Sequence, residues 1–267
     1  MILTTKDEFE THLFIDEITG AYHSKYDELL LQSVFQPILN SSKETIGYEA
    51  LLRIHDANMQ PIRPDLFFQD AKRSLHQILN VERLSRIIHI RNFAQLSQEN
   101  TQLFLNVLPE SAIHFHQHKL ENINMSLLEA RIKELNLMPQ QVTLELLEFH
   151  YHDEERLAMA IQDIKNHGFN VAIDDFGCGA SCEKRVSSLQ PHIIKVDRKL
   201  LLQYDKGVTK PLLSAVNLAK KENAKIVIEG IETTSQYEKM KALGVDYFQG
   251  FLIGKPLPLH QQNHQAA

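Results

Sequence analysis

Residues 170–175 read Asn-Val-Ala-Ile-Asp-Asp, a short apolar run that ends on two adjacent carboxylates. The apolar and β-branched residues of such a run predict a buried strand. A buried strand has no use for a carboxylate unless that side chain is paired or binds a cation. The segment therefore predicts a strand of a parallel sheet with a polar site at its carboxyl end.

The same pattern recurs along the chain. Further short apolar runs close on acidic, amide or lysine side chains, with helical segments between most of them: Glu49, Asn106, Glu148, Lys195, Asp197, Glu229 and, just after it, Glu232. If these runs are parallel strands, the side chains at their carboxyl ends converge on one site. Converging acidic and amide oxygens are the expected ligands of hard cations such as Mg²⁺ or Mn²⁺.

The order of the predicted elements indicates the fold class. Strands are predicted at 34–39, 44–54, 103–108, 142–147, 170–173, 192–196, 225–228 and 247–251. Helices are predicted at 63–72, 75–96, 127–135, 154–167, 210–222 and 235–243. This alternation fits an α/β fold, either a parallel barrel or an open doubly wound sheet, and the strand count and length favour a (β/α)₈-type TIM barrel. The short connection at 40–43 predicts an antiparallel first pair of strands.

Composition narrows the class of protein. The chain has 267 residues, 43% of them hydrophobic, and a net charge of −6, so a full core is expected and duplex nucleic acid is not an expected partner. No apolar stretch approaches the ~20 residues of a membrane span. With only Cys178 and Cys182, a disulfide framework is excluded and a cytoplasmic location is expected. We expect a helical extension at 1–26, one domain at 27–258 and a flexible tail at 259–267.

The adjacent pair Asp174 and Asp175 is the sharpest local signal. Two neighbouring carboxylates cannot point to the same side of a regular strand, but at a strand end the first can bridge two cations while the second holds one. Two metals ~4 Å apart suit in-line attack on a phosphodiester. Lys195 among the carboxylates could orient the attacking water or neutralise phosphate charge. Taken singly, each acid could instead cap a helix or pair with a lysine.

Sequence motifs then point to a family. Glu49-Ala50-Leu51-Leu52-Arg53 resembles the signature of the EAL domain family, the cyclic di-GMP phosphodiesterases. Other segments follow in that family's order: Phe35-Gln36-Pro37-Ile38, Asn106, Glu145-Leu146-Leu147-Glu148, Asp174-Asp175-Phe176-Gly177, Lys195-Val196-Asp197, Glu229-Gly230-Ile231-Glu232, Gln249-Gly250-Phe251 and Pro256-Leu257-Pro258. The resemblance covers residues 27–258.

The resemblance implies a metal-dependent hydrolase that converts cyclic di-GMP to pGpG in biofilm and motility signalling. It implies a modified TIM barrel with an antiparallel first strand, a homodimer and two Mg²⁺ or Mn²⁺ ions. The implied ligands are Glu49, Asn106, Glu148 and Asp174 for one ion, and Asp174, Asp175 and Glu229 for the other. The implied catalytic set adds Lys195, at the nucleophilic water. The implied substrate contacts are Gln36, Arg53, Gln249 and Pro256, with Glu232 supporting the metal shell or a lid.

The segment after Asp175 departs from the family pattern. Residues 176–185 carry Cys178, Ala180 and Cys182 where the family tends to have Thr, Tyr and Ser. This departure prompts two alternatives: a cyclic di-GMP receptor without turnover, and a protein-interaction scaffold. The intact metal ligands count against the scaffold. The histidine clusters at 114–118 and 150–152 are interpreted as solvated surface, and the two cysteines as small packed residues.

Overall fold

The computed structural model describes residues 1–96, 100–108, 125–146, 154–177 and 183–262. The chain forms two compact units. The terminal unit comprises Met1–Phe35, Ala50–Glu99 and Pro256–Ala267, and the barrel unit comprises Gln36–Glu49 and Asn100–Lys255. Within the described residues, no helix combines the length and the apolar character that a membrane span requires.

The described elements alternate as the sequence predicts. The strands are β1 (Leu13–Ile15), β2 (Tyr22–Tyr26), β3 (Leu29–Asn40), β4 (Thr45–His55), β5 (Pro61–Ile62), β6 (Gln102–Val107), β7 (Val142–Leu146), β8 (Asn170–Phe176), β9 (Ile193–Val196), β10 (Lys225–Ile228) and β11 (Tyr247–Phe248). The helices are α1 (Lys6–Glu10), α2 (Pro64–Gln69), α3 (Leu75–Phe93), α4 (Met125–Glu134), α5 (Glu154–Asn166), α6 (Glu183–Leu189), α7 (Arg198–Asp205), α8 (Lys210–Lys221), α9 (Thr234–Ala242) and α10 (Leu259–Gln262). The sequence analysis missed α6 and α7.

The barrel unit contains a closed eight-stranded barrel. Its strand order is β3-β11-β10-β9-β8-β7-β6-β4, and a further pairing between β3 and β4 closes it. Strands β6 to β11 are parallel to their successive neighbours, whereas β3 is antiparallel to β11. The predicted TIM-type barrel with an antiparallel first strand is thus confirmed, and the open sheet is excluded.

The turn between β3 and β4 follows from its sequence. The Asn40 side-chain oxygen accepts hydrogen bonds from the backbone nitrogens of Ser42 and Glu44, each at 2.9 Å. Lys43 adopts a left-handed conformation with φ +65°, and its nitrogen donates to the Asn40 carbonyl. An asparagine side chain that bonds its own following backbone is a typical turn signal, so the short connection predicted at this place is confirmed.

The expectation of a helical extension at 1–26 is wrong. Only α1 is helical there, and β1 and β2 form an antiparallel hairpin. The apolar spacing resembles a helix stripe, but the Asp16 side chain accepts hydrogen bonds from the nitrogens of Ile18 and Thr19. Together with the left-handed Gly20 (φ +72°), these bonds build a turn that ends the helix pattern. The terminal unit packs its strands and α3 around a core that includes Leu31, Ile54, Leu84 and Ile88.

The tail also differs from expectation. Leu259–Gln262 form a short helix in which Leu259 and Gln262 are buried, so flexibility from residue 259 onward is wrong for these four positions. The Gln262 amide nitrogen donates to the carbonyl oxygens of Phe35 and Leu257. These bonds hold the segment to the isolated bridge between Phe35 and Leu257. Residues 263–267 lie outside the described residues.

Candidate metal centre

An apolar layer of the barrel interior lies directly beneath the polar site. The layer includes Ile38, Phe104, Ala172, Ile193 and Val227. Because alternate residues of a strand share a face, the residue two positions further along each strand faces the same interior. Four of the predicted site residues occupy those positions: Asn106, Asp174, Lys195 and Glu229. On each of these strands, the side chain in the apolar layer and the site side chain two residues later therefore face the same barrel interior.

The close approach of β4 to β6 requires a glycine. A side chain at Gly47, two residues before Glu49, would place its Cβ 2.5 Å from the Gln102 carbonyl oxygen. The absence of a side chain therefore lets the strand that carries Glu49 lie against β6, which carries Asn106.

Lys195 stands at the centre of the site. Its side chain is fully buried, and its Nζ lies 2.8 Å from Glu145 Oε1, 2.8 Å from Glu229 Oε1, 2.9 Å from Asp174 Oδ1 and 3.3 Å from Glu49 Oε2. One ammonium therefore faces four carboxylates. A buried cluster with this excess of negative charge is costly unless protons or further cations neutralise it.

The pKa values of the cluster reflect this excess. Burial, assisted by neighbouring carboxylates, raises the pKa of Glu145 well above its usual range, that of Glu229 to about 8 and that of Asp175 to about 6. Burial also raises the pKa of Asp174, although Lys195 opposes the shift. For Lys195 itself burial lowers the pKa, but Asp174, Glu145, Glu229 and Glu49 outweigh burial and raise it well above normal. In the metal-free site the lysine is therefore a charged hydrogen-bond donor.

A β-bulge brings both adjacent aspartates to one place. The pairing of β8 with β9 shifts register between Ile173 and Phe176. Within that shift, Asp175 adopts a left-handed conformation with φ +53°, which is uncommon for a residue other than glycine. Adjacent residues of a regular strand point to opposite faces, but the bulge allows Asp174 and Asp175 to contribute oxygens to a single group with Glu229.

The described acids form two groups, each of which could bind one metal ion, and both groups include Asp174. The first group is Glu49, Glu145 and Asp174, and the second is Asp174, Asp175 and Glu229; within each, ligand oxygens lie within 4.8 Å of one another. Both Glu145 oxygens and Asp174 Oδ1 are buried without a hydrogen-bond partner among the described residues, apart from the ion-pair contacts with Lys195. Of these three oxygens, Glu145 Oε2 is the one without a lysine contact in the described part of the chain, and buried anionic oxygens with so few partners in an all-oxygen donor set fit Mg²⁺ or Mn²⁺.

Glu145 is the site residue to which the sequence analysis gave no role. It lies within β7, opposite Asn106 in the parallel register with β6, and is fully buried. The signal was present, because an acid between Leu144 and Leu146 of an apolar strand is costly unless it is used. Glu148, which the sequence analysis assigned to the metal, lies outside the described residues, so its role stays a prediction.

Two amides contact the Glu49 carboxylate. Asn106 Nδ2 donates to Glu49 Oε1 at 3.2 Å, and Gln249 Nε2 donates to Glu49 Oε2 at 2.6 Å. Gln249 Nε2 also lies 3.4 Å from Gln36 Oε1, and Gln36 Nε2 donates to the Gly254 carbonyl at 3.0 Å. Asn106 and Gln249 therefore contact the acidic cluster directly, whereas Gln36 contacts Gln249 and not an acid of the cluster.

Other predicted residues lie apart from these two groups or belong to the other unit. Glu232 forms a partly exposed ion pair with Arg198 at 2.8 Å. Asp197 caps α7, because its side chain accepts a hydrogen bond from the Lys199 nitrogen at 2.6 Å. Arg53 belongs to the terminal unit; it donates to the Leu52 carbonyl, and burial lowers its pKa.

Several remaining sequence predictions are not addressed by the structure. Pro256 belongs to the terminal unit, and its proposed pocket contact stays a prediction. Cys178, Cys182 and the histidine clusters at 114–118 and 150–152 lie outside the described residues.

Comparison with known proteins identifies the family. The EAL domain model matches residues 25–256. Two Escherichia coli K12 proteins named probable cyclic di-GMP phosphodiesterases are each 29% identical: PdeA, over 87% of this chain and 31% of its own length, and PdeB, over 84% and 42%. The chain therefore spans less than half of these relatives.

Solved structures agree with the sequence comparison. The PaMucR phosphodiesterase in complex with c-di-GMP is 26% identical with a TM-score of 0.74, covering 87% of this chain and 94% of that one. Klebsiella pneumoniae BlrP1 with manganese and c-di-GMP is 25% identical with a TM-score of 0.72, covering 85% and 56%. The sequence match over most of the chain and the shared barrel lead to one conclusion: this chain belongs to the EAL domain family.

Proposed function

We propose that this chain hydrolyses cyclic di-GMP to linear pGpG with the help of two Mg²⁺ or Mn²⁺ ions. The observation that carries the proposal is the pair of acidic groups that share Asp174 around the buried Lys195. Relatives named as cyclic di-GMP phosphodiesterases, and a similar barrel in complex with c-di-GMP, support this choice of substrate.

Each acidic group would hold one cation. Glu49, Glu145 and Asp174, with the Asn106 amide oxygen, would bind the first, and Asp174, Asp175 and Glu229 would bind the second. When bound, two such cations stabilise negative charge on the attacking and leaving oxygens of a phosphodiester. Their positive charge would also neutralise the excess of carboxylates, and the raised pKa values predict that binding releases protons.

Lys195 acts as a donor rather than as a base. Its Nζ lies within 3.3 Å of four carboxylates, which raise its pKa in the metal-free site and favour the ammonium form. It therefore holds four carboxylates in place and offers its N–H groups to orient a water molecule or a phosphate oxygen. In the same proposal, Arg53 binds a substrate phosphate, a role that suits its guanidinium fork. Gln36 and Pro256 contact the guanine or ribose, and Glu232 supports the metal shell or a lid.

A receptor that binds cyclic di-GMP without turnover is the second candidate. The observation that favours it is the segment after Phe176, in which Cys178, Ala180 and Cys182 replace the residues typical of the family. The homodimer, the cytoplasmic location and the role in biofilm and motility signalling likewise stay predictions. Light scattering on purified protein would test the homodimer.

The experiment incubates purified protein with cyclic di-GMP and Mn²⁺ and resolves the products by chromatography, with Glu49→Ala alongside. We expect pGpG from the native protein and none from the variant. Saturable binding of nucleotide without product would favour the receptor. Neither product nor binding would overturn both candidates.

A further inference from the structure

Gln249 occupies an unusual position for a residue expected to line a base or ribose pocket. It directly follows β11, and only 3% of the residue is exposed. Its shortest side-chain hydrogen bond, 2.6 Å from Nε2, goes to Glu49 Oε2, an oxygen of the first acidic group. The amide orientation follows from chemistry, since the opposite orientation would set its carbonyl oxygen against a carboxylate oxygen at the same distance.

The backbone around Gln249 is fixed on both sides. Its nitrogen donates to the Ile228 carbonyl and its carbonyl accepts from the Ile231 nitrogen, each at 3.0 Å. The next residue, Gly250, has φ +153°, and a Cβ there would lie 2.2 Å from the Ile231 nitrogen and oxygen. Only glycine permits this approach, which ties Gln249 to the segment that carries Glu229.

The other end of the amide lacks a partner in the part of the chain that the structure describes. Gln249 Oε1 is buried without a hydrogen bond among the described residues. A buried amide costs free energy unless it is hydrogen-bonded, and apart from a long contact with Gln36 the bond to Glu49 is the compensation that the described residues provide. The main polar interaction of the Gln249 side chain is therefore its hydrogen bond to the Glu49 carboxylate.

We propose that Gln249 is a positioning residue that holds Glu49 in the orientation the first cation needs; this inference rests on the proposed function. Because the backbone of Gln249 is fixed, its hydrogen bond to Glu49 Oε2 restricts rotation of the Glu49 carboxylate. The other oxygen, Oε1, then faces Asn106 and is free to bind the cation. Partners of this kind, which orient a metal ligand without touching the metal, change affinity by roughly 10–100-fold when removed.

Gln36 provides a matched control for the test. It is also a glutamine in the barrel unit, but its amide nitrogen donates to the Gly254 carbonyl and not to a carboxylate. Gln249→Met and Gln36→Met keep similar side-chain volume and remove the amide. Mn²⁺ binding is titrated by electron paramagnetic resonance on each protein without nucleotide, and kcat and KM for cyclic di-GMP are measured at saturating Mn²⁺.

For Gln249→Met we expect Mn²⁺ affinity to fall by roughly 10–100-fold with KM unchanged at saturating metal. For Gln36→Met we expect Mn²⁺ affinity within twofold of native and a raised KM. Gln249→Asn keeps the amide but shortens its reach by one methylene, so it should weaken Mn²⁺ binding as well. Circular dichroism melting confirms that each variant folds.

Mn²⁺ affinity of Gln249→Met and Gln249→Asn within twofold of native, or a raised KM as their main change, would overturn the inference and return Gln249 to the substrate pocket. A native protein that binds no Mn²⁺ would overturn it too. A native protein that binds Mn²⁺ but forms no pGpG would contradict the proposed hydrolysis, while the Mn²⁺ titration would still decide the role of Gln249.

Discussion

The two acidic groups are built by different means. In the first, Glu49, Glu145 and Asp174 are all buried on strands, and amide side chains hold the Glu49 carboxylate. In the second, Asp175 and Glu229 are only partly buried, and Asp175 reaches the site through a bulge and a left-handed backbone. Strand periodicity and side-chain hydrogen bonds organise the first group, whereas a backbone irregularity organises the second.

This difference implies different roles for the two positions. A group held by rigid strands and hydrogen-bonded carboxylates is preorganised, so it should bind its cation more tightly. A group that depends on the left-handed Asp175 should bind more weakly and respond more to the sequence that follows it. The unusual residues 178–182 follow the second group, so we expect their effect there and not at the first.

The largest expected effect comes from removing the first group's most buried acid. Glu145→Gln should lower kcat by roughly 10³-fold, because the loss of several kcal/mol of charge stabilisation is a factor of ten for each 1.36 kcal/mol. Formation of pGpG at saturating Mn²⁺ measures the effect. Glu154→Gln, on an exposed acid at the start of α5, is the matched control and should leave kcat unchanged.

The same assay compares the two acids of the motif at 145–148. If Glu145→Gln stayed active while Glu148→Gln did not, the assignment of the first group to Glu145 would be wrong. That result would return the ligand role to the residue that the sequence analysis chose.

A substitution in the second group should lower kcat by a smaller factor. Asp175→Asn should lower kcat by about 10²-fold while one class of Mn²⁺ site, the tighter one, persists in a calorimetric titration. Asparagine tolerates the left-handed conformation, so the variant should fold, and without metal at pH 7 its melting temperature should be above native because the buried carboxylate is gone. Loss of all Mn²⁺ binding in this variant would show that the two groups do not act separately.

The pH dependence of stability provides a milder test. Carboxyls with raised pKa values keep their protons in the folded state at pH values where the unfolded chain has lost them. Since the folded state then binds more protons, stability falls as pH rises. With Asp175 at about 6 and Glu229 at about 8, these two pKa values lower the melting temperature of the metal-free protein as pH rises from about 4 to about 8. Burial lowers the pKa of His89 to about 3, and this group opposes the fall up to about pH 6.5, so the net decrease should lie between about pH 6.5 and about pH 8.

Two variations sharpen this pH test. Asp175→Asn should remove the contribution of Asp175 below about pH 6 and leave the decrease that continues up to about pH 8. Mn²⁺ should oppose the decrease, because deprotonated carboxylates bind it better. A melting temperature that rises steadily with pH in the metal-free protein would contradict the raised pKa values.

The smallest expected effect lies just below the first group. Thr143 is fully buried two residues before Glu145, and its Oγ1 has no hydrogen-bond partner among the described residues. Thr143→Val replaces this hydroxyl with a methyl group, so the free energy of unfolding should rise by about 1 kcal/mol. Urea denaturation measures it; a decrease of similar size would indicate that the hydroxyl is satisfied in solution.

Much of the barrel was predictable because its signals are local. Short, β-branched apolar runs such as 170–173 and 225–228 favour strands, and the alternation with helices leaves few ways to arrange them. The residues at the strand ends then converge because parallel strands end at one edge. Asp174, Lys195 and Glu229 were placed at the site by this argument alone.

The errors concern positions where local patterns are ambiguous. Phe9, Leu13, Phe14 and Ile18 fit a helical spacing, yet turn-forming hydrogen bonds to Asp16 direct the segment into a hairpin. Glu145 was passed over because the sequence analysis considered strand ends and not the interior of an apolar strand. The contact of Gln249 with Glu49 joins residues 200 positions apart, and no spacing rule predicts it.

In the proposed site two cations share Asp174, and anomalous diffraction at the manganese edge from crystals grown with Mn²⁺ would locate both of them. We expect two peaks, one beside Glu49, Glu145 and Asp174 and the other beside Asp174, Asp175 and Glu229. In Asp175→Asn the second peak should weaken while the first remains. A single peak, or peaks that do not contact Asp174, would show that the two groups do not hold two cations through Asp174.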